Sequence, residues 1–493
     1  MSITYITVAI PYVNARPHVG YALELVQADV LARHLRARGD DVRLLGGTDD
    51  HALKNVLGAE AAGVPPREFV DRNAAAFEAL RGVLDISFDD FIRTSRDPRH
   101  APGVERLWRA CAARGDFYRR WYEGQYCVGC EQFYAPSDLA DGLCPEHGTR
   151  TETVAEENWF FRLSRYRDAI VDAIEREELT IVPETYQNEV RAFLAGGLDD
   201  ISVSRSEARA RGWGIPVPDD PTQRIYVWWD ALGNYVTALD YGTHGERFDH
   251  WWRGADDRIH VIGKGILRFH AVYWPAILLS AGEPLPTKIL VHPYLTAGGE
   301  KLSKSSGASA DPAGVVADVG TDALRWWFAR DVPRSADTDF SVERVIARAD
   351  EDLAHGVGNL VHRVTTMVHR LADGIVPPEG TLDHHERVRG EFDAAVRGYD
   401  YRGAVAVVRG EVDAANRCVE ELRPWTLPRG SAAVAAALGE LLGRTRVVVE
   451  LVRPIVPATA RRAAAALTTD GAGRLPSLPA PLVPRLSPAP RGR

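Results

Sequence analysis

Residues 3–21 read ITYITVAIPYVNARPHVGY, and this stretch decides which fold the rest of the chain must complete. An apolar run rich in β-branched residues is followed by a proline-marked turn and then by a helical period. The pattern predicts, in chain order, a strand, a turn, a helix, a strand and a helix over Ile3–Ile10, Pro11–Pro17, Val19–Arg38, Asp41–Leu45 and Ala52–Ala62. This alternation is typical of an α/β fold with a Rossmann-like, doubly wound parallel sheet.

Two polar residues follow the predicted strands at the places where such sheets bind ligands. His18 comes after the first strand and its turn, and Asp49 comes just after the second strand, in the segment GGTDDH at 46–51. In doubly wound sheets the ligand lies beyond the carboxyl ends of the strands. We therefore expect both side chains at one end of the sheet, near a bound ligand.

The rest of the sequence changes character several times, and 493 residues are too many for one ordinary core. Aromatic, Gly- and Cys-rich sequence begins near residue 111, the α/β pattern resumes at 224–229, and a strand is predicted over Arg258–Ile262. The predicted domains are a Rossmann domain at 1–112 and 224–290, a connective insertion at 113–223, a contact region with a Lys/Ser loop at 291–342, a helical domain at 343–468 and a Pro-rich, loosely docked or disordered tail at 469–493.

Composition excludes several broad classes of protein. The chain is 45% apolar and 26% charged, as in soluble globular proteins, and its net charge of −9 argues against a wholesale nucleic-acid binder. No apolar run has the length of a membrane span, and the N-terminus reads as a strand rather than a leader. These features predict a cytoplasmic protein that does not associate with membranes.

Three of the five cysteines cluster with one histidine. Cys127 and Cys130 form Cys-x2-Cys, and Cys144 and His147 form Cys-x2-His after thirteen intervening residues. Three thiolates and one imidazole complete a tetrahedral Zn²⁺ shell and leave no open position for a reactive water. The spacing predicts one structural zinc per chain, and a cluster of free thiols is the alternative.

Two short motifs carry the chemistry of ATP. His18-Val19-Gly20-Tyr21 opens a predicted helix, where backbone N–H groups favour phosphate and a glycine permits close approach. Lys301-Leu302-Ser303-Lys304-Ser305 lies in a Gly/Ser-rich loop that can close on a leaving pyrophosphate. Lysine is scarce in this Arg-rich chain, which retains only Lys54, Lys264, Lys288, Lys301 and Lys304. A turn histidine and a solvated basic loop are the simpler readings.

In that order and at that separation, the two motifs resemble the ATP signatures of class I aminoacyl-tRNA synthetases. To about residue 465 the chain is similar to methionyl-tRNA synthetases with a single zinc knuckle. The matching stretches are AIPYVN at 9–14, GTD at 47–49, the Cys/His set, YVWWDA at 226–231 with Asn234-Tyr235, Ile262-Gly263-Lys264, His270 with Trp274-Pro275, GNLV at 358–361 and Arg423-Pro424-Trp425.

The resemblance implies a role for each matching residue. It places the methionine side chain against Ile10, Tyr12, Trp228, Ala231, Tyr235, Ile266 and His270. It makes Asp49 the partner of the substrate ammonium, and it assigns ATP, with Mg²⁺, to His18, Gly20, Lys264, Lys301, Ser303 and Lys304. It assigns the anticodon to Asn359, Arg363 and Trp425, and makes 291–342 a stem-contact region. Packed core aromatics and ordinary surface residues are the simpler readings.

Three departures from the family pattern fall together. Tyr21 replaces the second histidine of the first ATP signature, Ala52 replaces a glycine, and Gly265 replaces an aspartate. All three positions are expected near ATP or the adenylate. A tyrosine can donate one hydrogen bond, but it carries no positive charge near neutral pH. These changes predict a reshaped nucleotide site beside an unaltered methionine pocket.

Three functions fit this pattern. The first is an ATP-dependent ligase that joins L-methionine to methionine tRNA, and the anticodon-type residues favour it. The second is a paralogue that transfers the methionyl group to a small-molecule amine, and the three departures motivate it. The third is a non-catalytic tRNA-binding regulator. No appended dimerisation domain is evident in the sequence, which favours a monomer.

Overall fold

The computed structural model describes residues 1–129, 132–134, 138–139, 141–145, 148–243, 245–298, 300–301, 311–378, 383–478 and 480–486. The chain divides into two compact units. Unit 1 comprises Met1–Pro17, Arg38–Arg81 and Ser87–His292, and unit 2 comprises His18–Ala37, Gly82–Ile86 and Pro293–Arg493. The first long helix therefore groups with the later part of the chain, while the strands on either side of it belong to unit 1.

The strands of the described residues are short and fall mostly in unit 1. They are β1 (Ile3–Val8), β2 (Asp41–Thr48), β3 (Asp90–Arg93), β4 (Phe117–Cys127), β5 (Gln132–Tyr134), β6 (Glu152–Phe161), β7 (Thr180–Val182), β8 (Ile201–Ser202), β9 (Ser204–Ser206), β10 (Pro216–Val217), β11 (Asp220–Ile225), β12 (Asp257–Gly263), β13 (Lys288–His292), β14 (Leu295–Ala297), β15 (Glu300–Lys301) and β16 (Thr338–Asp339).

The helices lengthen toward the C-terminal part of the chain. They are α1 (Val19–Ala37), α2 (Leu53–Ala61), α3 (Pro66–Val83), α4 (His100–Ala113), α5 (Arg167–Glu175), α6 (Glu184–Ala195), α7 (Glu207–Ala210), α8 (Val227–Thr237), α9 (Glu246–Phe248), α10 (Trp274–Ala281), α11 (Pro312–Val319), α12 (Thr321–Asp331), α13 (Val342–Arg348), α14 (Asn359–Ala372), α15 (Asp383–Arg397), α16 (Tyr401–Leu422), α17 (Ala432–Val452) and α18 (Pro457–Leu467).

A six-stranded parallel sheet forms the centre of unit 1. Its strand order is β3-β2-β1-β12-β13-β7, so the chain builds outward from β1 in one direction and later adds strands on the other side. In register, Ile6 of β1 lies between Leu44 of β2 and Ile259 of β12. All three side chains are buried, as expected of a parallel sheet covered on both faces. The strand order reverses between β1 and β12, which is where doubly wound sheets bind ligands.

The insertion between β3 and β12 adds an antiparallel sheet to unit 1. Its order is β5-β4-β6-β8, and the long pair β4–β6 runs in register from Phe117 opposite Phe161 to Tyr126 opposite Glu152. Aromatic rings stack along its base, where Trp108 and Phe117 have centroids 4.1 Å apart. The insertion thereby shares one core with the helices that pack on the parallel sheet.

Unit 2 is mainly helical and holds α1 by polar contacts along its length. The buried Arg325 of α12 forms an ion pair with Asp29 of α1 at 2.7 Å. His34 near the end of α1 contacts the carboxylate of Asp393 on α15 at 2.8 Å. Leu475 from the Pro-rich segment is 3% exposed and packs in this unit. These contacts make α1 an integral member of the helical unit.

The structure confirms the α/β fold with a parallel sheet and a C-terminal helical region. The strand predicted over Ile3–Ile10 ends earlier, at Val8, while the strand predicted over Asp41–Leu45 continues to Thr48. The helix predicted over Val19–Arg38 ends one residue earlier, at Ala37. Among the described residues, no helix combines the length and apolar character needed to cross a bilayer.

Candidate functional site

The candidate site lies at the carboxyl ends of β1 and β2, where the two following loops run side by side. Tyr12 and Asp49 form an isolated parallel bridge, and the Asp49 N–H donates to the Pro11 carbonyl at 2.9 Å. The loops can approach because residue 47 is glycine. A Cβ there would lie 2.4 Å from the Ile92 carbonyl oxygen and 2.9 Å from Cγ2 of Ile10.

Aromatic side chains form one wall of a pocket beside these loops. Trp228 meets Tyr12 edge-to-face, with ring centroids 6.0 Å apart, and stacks on Phe269 at 3.6 Å. Trp228, Ala231 and Tyr235 recur three and four residues apart on α8, so they share one face of that helix. The wall therefore comes from three separate segments. Phe269 is not among the residues predicted from the sequence, although it directly precedes His270, which is.

A hydrogen-bonded pair closes the base of the pocket. The Tyr235 hydroxyl lies 2.7 Å from His270 Nε2, and His270 Nδ1 lies 2.9 Å from the Ile266 carbonyl oxygen. Burial lowers the pKa of His270 to about 4, so the ring is neutral near pH 7. The carbonyl can only accept, which places the single ring proton on Nδ1. Nε2 therefore accepts from the Tyr235 hydroxyl, and the orientation of both groups is set.

A second buried histidine supports Tyr235 from behind. The rings of His260 and Tyr235 have centroids 4.2 Å apart. Burial, with the nearby His270 and Arg258, holds the pKa of His260 well below its ordinary value. His260 Nε2 accepts from the Trp274 indole N–H at 3.1 Å, which leaves Nδ1 as the donor to the Thr7 hydroxyl at 2.6 Å. The base of the pocket is thus rigid, neutral and fully hydrogen-bonded on this side.

Asp49 presents a buried carboxylate next to the pocket. Its side chain is held by the backbone N–H of His51, which donates to Oδ1 at 3.1 Å. The Asp49 carbonyl accepts from the Asn55 amide at 3.0 Å, so the main chain is fixed as well. Asp49 is 1% exposed. A buried carboxylate of this kind can accept hydrogen bonds from a cationic ligand.

His18 caps the N-terminus of α1 in unit 2. Its Nδ1 accepts from the Gly20 N–H at 3.1 Å, in the manner of an N-cap side chain. A Cβ on residue 20 would lie 2.9 Å from this ring, so the fold-back requires glycine. With Nδ1 used as an acceptor, a neutral His18 carries its proton on Nε2 and can donate outward. Tyr21, one residue further, is buried at 8% exposure.

The structure describes the predicted ATP-binding lysines to different extents. Lys264 follows β12 directly at the carboxyl edge of the parallel sheet and is partly buried. The backbone of Lys301 pairs with Thr296 in the β14–β15 ladder. Ser303 and Lys304 lie outside the described residues. Of the three departures from the family pattern, Ala52 is fully buried before α2, whereas Gly265 is exposed.

Two of the four predicted zinc ligands lie in one buried cluster of the insertion. Cys127 ends β4, and Cys144 follows it in the chain after a turn; with Tyr134 they form a small core of their own. The Gly148 N–H donates to the Cys144 carbonyl at 2.8 Å, which folds the chain back behind Cys144. Cys130 and His147 lie outside the described residues. The burial of two thiols in one small core fits a thiolate-bound metal.

The predicted anticodon residues lie in unit 2. Asn359 is exposed at the start of α14, and Arg363 follows one turn later, where its guanidinium pairs with Glu420 of α16. Trp425 is 49% exposed in the short turn Pro424–Thr426, which contacts α14. An exposed indole beside polar helix residues provides a stacking surface for an unpaired base.

The chain is similar in sequence to proteins of one known family. The family model described as tRNA synthetases class I (M) matches residues 4–154 and 134–365. A methionine–tRNA ligase of Brucella suis is 39% identical over 475 residues, covering 93% of this chain and 90% of that protein. The corresponding ligase of Mycobacterium bovis is 41% identical over 478 residues, covering 92% of this chain and 90% of that protein.

A solved structure is similar over nearly the whole length. Mycobacterium tuberculosis methionyl-tRNA synthetase in complex with methionyl-adenylate matches with a TM-score of 0.89 and 37% sequence identity. The match covers 98% of this chain and 100% of that chain. Both the pocket-bearing unit and the helical unit therefore have counterparts in that protein.

Proposed function

Since this chain belongs to the class I tRNA synthetase (M) family, we propose that it is an ATP-dependent methionine–tRNA ligase. It activates L-methionine to methionyl-adenylate and transfers the methionyl group to methionine tRNA. The observation that carries the proposal is the grouping of aromatic faces with a neutral Tyr235–His270 pair, in the unit that also holds the buried carboxylate of Asp49. This arrangement offers one apolar cavity and one anionic anchor, as a zwitterionic amino acid with a thioether side chain requires.

The pocket favours methionine by shape and polarity. An unbranched thioether is flexible and polarizable, and it packs well against aromatic faces such as Trp228 and Tyr12. The base offers no free charge, because His270 is neutral and its acceptor nitrogen is taken by Tyr235. A charged or strongly polar side chain would lose its hydration there without an equivalent partner. Ile10, Ala231 and Ile266 complete the set of proposed methionine contacts.

Asp49 is the proposed partner of the substrate ammonium. Its carboxylate is buried and held by a backbone N–H, so little reorganisation is needed when the cation binds. Anchoring the ammonium leaves the carboxylate of methionine free to face ATP. Orientation of this kind lowers the barrier by removing the entropy of alignment before the chemical step.

Adenylate formation follows from that orientation. A methionine carboxylate oxygen attacks the α-phosphorus of ATP, the bond from the α-phosphorus to the bridging oxygen breaks, and pyrophosphate leaves with that electron pair. His18 can donate from Nε2 at the N-terminus of α1, where the helix dipole also favours phosphate. Lys264, Lys301, Ser303 and Lys304 are the proposed phosphate ligands, with Gly20 allowing close approach. Mg²⁺ bound with ATP supplies further charge neutralisation.

The second step needs an RNA acceptor, and the helical unit supplies the residues that suit one. The tRNA terminal hydroxyl attacks the methionyl carbonyl carbon, the bond from that carbon to the phosphate oxygen breaks, and AMP leaves. Asn359, Arg363 and the half-exposed Trp425 are proposed to read the anticodon by edge hydrogen bonds and stacking. A small-amine acceptor would make no use of this exposed indole.

We also propose one structural zinc in the insertion. Cys127, Cys130, Cys144 and His147 would hold the ion, and the co-burial of Cys127 and Cys144 supports the assignment. A zinc with four protein ligands stabilises the local fold and has no position for a reactive water.

Two measurements on the full chain test the function. Methionine-dependent ATP–pyrophosphate exchange tests activation, and the appearance of acid-precipitable radiolabelled methionine on methionine tRNA tests transfer. Exchange without charging would refute tRNA ligation and favour a small-amine acceptor. Absence of exchange would refute both and favour a non-catalytic binder.

A pair of variants adds a control for the RNA step. Trp425→Ala should keep exchange and lose most charging at limiting tRNA, because base stacking contributes about 1–3 kcal/mol per base. Arg387→Ala is the matched control, because it removes an exposed arginine of α15 whose described contacts are with Glu391 and His384 of the same helix. It should leave both activities unchanged.

A further inference from the structure

Asp230 joins two histidines in the interior of unit 1. Its Oδ2 lies 2.7 Å from His51 Nδ1, and its Oδ1 lies 2.5 Å from His100 Nε2. His100 Nδ1 reaches the Thr237 hydroxyl at 2.8 Å, so α8 holds this ring from both sides. Asp230 and His100 are almost completely buried, with exposures of 1% and 0%.

The electrostatics of this cluster favour an ion pair. Burial opposes the charge on His51, but the Asp230 carboxylate outweighs it, and the pKa of His51 is raised. Burial alone would raise the pKa of Asp230, yet the charge of His51 and the hydrogen bond from His100 hold it well below its ordinary range. His51 is therefore the cation of the pair, and Asp230 remains ionised near neutral pH.

The same three side chains could in principle bind a metal, because their ligand atoms all lie within 4.8 Å of one another. The geometry argues against a metal bound by these three side chains. Each oxygen of Asp230 already meets a ring nitrogen at hydrogen-bond distance, so the carboxylate itself occupies the space between the rings. A raised pKa of His51 also disfavours the deprotonated nitrogen that a metal needs.

The cluster connects the ammonium anchor to the methionine pocket. The backbone N–H of His51 donates to the Asp49 carboxylate, while the ring of the same residue is fixed by Asp230. Asp230 lies on α8 between Trp228 and Ala231, which form the pocket wall. One side chain therefore ties the loop that carries the anionic anchor to the helix that carries the apolar pocket.

We propose that Asp230, acting through His51, is a positioning residue that sets the Asp49 carboxylate at the distance from the pocket that the substrate ammonium requires. This inference rests on the proposed activation of methionine. It predicts that the cluster contributes to recognition of the amino group and not to recognition of the thioether.

The test compares two inhibitors that differ in the group concerned. L-Methioninol keeps the ammonium and lacks the carboxylate, whereas 4-(methylsulfanyl)butanoate keeps the side chain and the carboxylate but lacks the amine. In Asp230→Asn, the KM for methionine and the Ki for methioninol should rise about ten-fold or more, as for a lost charge-assisted contact. The Ki for the amine-free acid should change less than about two-fold.

A second variant distinguishes a loss of ligand recognition from misfolding of Asp230→Asn. His51→Gln keeps the backbone N–H to Asp49 and a side-chain donor for Asp230 but removes the charge, so it should give a smaller loss with the same selectivity for amine-bearing ligands. Asp90→Asn is the matched control, because Asp90 also bridges two cations, Arg43 and Arg99, in unit 1. It should alter neither inhibitor constant.

The outcomes separate this inference from the proposed function. Equal weakening of both inhibitors would mean that the cluster merely supports the fold, and unchanged constants in both variants would mean that it has no role in recognition; either result overturns the inference. Loss of a bound metal in Asp230→Asn, detected by elemental analysis, would overturn it in favour of a metal site. The absence of methionine-dependent exchange in the unaltered chain would instead refute the proposed activation on which the inference rests.

Discussion

The ion pair between Arg325 and Asp29 gives the sharpest prediction about stability, because both side chains have 0% exposure. Arg325 Nη2 lies 2.7 Å from Asp29 Oδ2. Its remaining donors bond backbone carbonyls, those of Leu84, Asp85, Pro454 and Ile455. The guanidinium thus joins α1 to three other segments of unit 2, and α1 carries His18 at its N-terminus.

The informative perturbation is Arg325→Met, which keeps an unbranched apolar stem and removes every donor. Breaking a buried ion pair by removing one partner costs about 3–5 kcal/mol, because the other charge remains buried. The loss should fall within that range: three carbonyls at 2.8–3.0 Å also lose their donor, whereas Asp29 keeps Arg33, whose Nε lies 2.6 Å from the same oxygen. In the double variant with Asp29→Leu neither member of the buried pair remains, and Arg33 keeps its contact with Asp85, so part of the loss should be recovered.

Guanidinium unfolding combined with hydrogen exchange on peptides from α1 and α12 measures this effect. Local exchange data are needed because a chain with two units need not unfold in one step. Arg389→Met is the control: its partner Glu450 is 51% exposed, and the loss should stay below about 1 kcal/mol. The reasoning is refuted if Arg325→Met costs no more than the control, or if the double variant is less stable than Arg325→Met alone.

Four further predictions concern the site. Tyr235→Phe removes the donor to His270 and should raise the KM for methionine about ten-fold in the exchange assay, with the KM for ATP unchanged. Tyr21→His should lower the KM for ATP, because a protonatable ring adds positive charge; a clear loss of activity would mean that Tyr21 has its own role. Cys144→Ser should abolish the bound zinc in elemental analysis and lower the thermal midpoint. Thermal scans between about pH 7.5 and pH 5 should reveal falling stability of unit 1, because the His270 pKa of about 4 lies below its unfolded value of 6.5 and protons therefore favour the unfolded chain. His260 adds to this trend with the same sign, whereas the raised pKa of His51 opposes it; stability that rises toward pH 5 would contradict the assignment.

Local sequence patterns predicted the central sheet well because strand and helix periods are short-range signals. The segment after β1 illustrates the limit of such signals. The apolar run predicts a strand to Ile10, but β1 ends at Val8, because the following residues diverge to form the bridge between Tyr12 and Asp49. A contact between residues that are 37 positions apart leaves no trace in the period of either segment.

The candidate site could be predicted only in part, for a related physical reason. Motif residues such as Asp49 and His270 stand out because their neighbours in sequence are distinctive. The role of Asp230 depends on His51 and His100, which lie more than a hundred residues away and meet it only in the folded chain. Phe269 was not predicted because it is a buried aromatic residue of the helical segment Phe269–Tyr273, and such residues have no distinguishing sequence context. Pairwise geometry, and not residue type, identifies these contributors.

The hydrogen bond made by His18 bears on what Tyr21 contributes to the proposed nucleotide site. His18 Nδ1 accepts from the Gly20 N–H, so this nitrogen does not donate to a phosphate. A histidine at position 21 could add a cation to the same helix terminus, whereas Tyr21 can add at most a neutral hydroxyl. The charge that develops on the leaving pyrophosphate must then be neutralised by other groups. In a chain with five lysines, Lys301 and Lys304 lie in the second ATP motif and Lys264 lies in the matching stretch at 262–264, which agrees with that demand. The departure at position 21 therefore leaves more of the proposed charge neutralisation to the lysines and less to the N-terminus of α1. This is a change in which residues stabilise the pyrophosphate, and it is not evidence that the nucleotide site has lost its function.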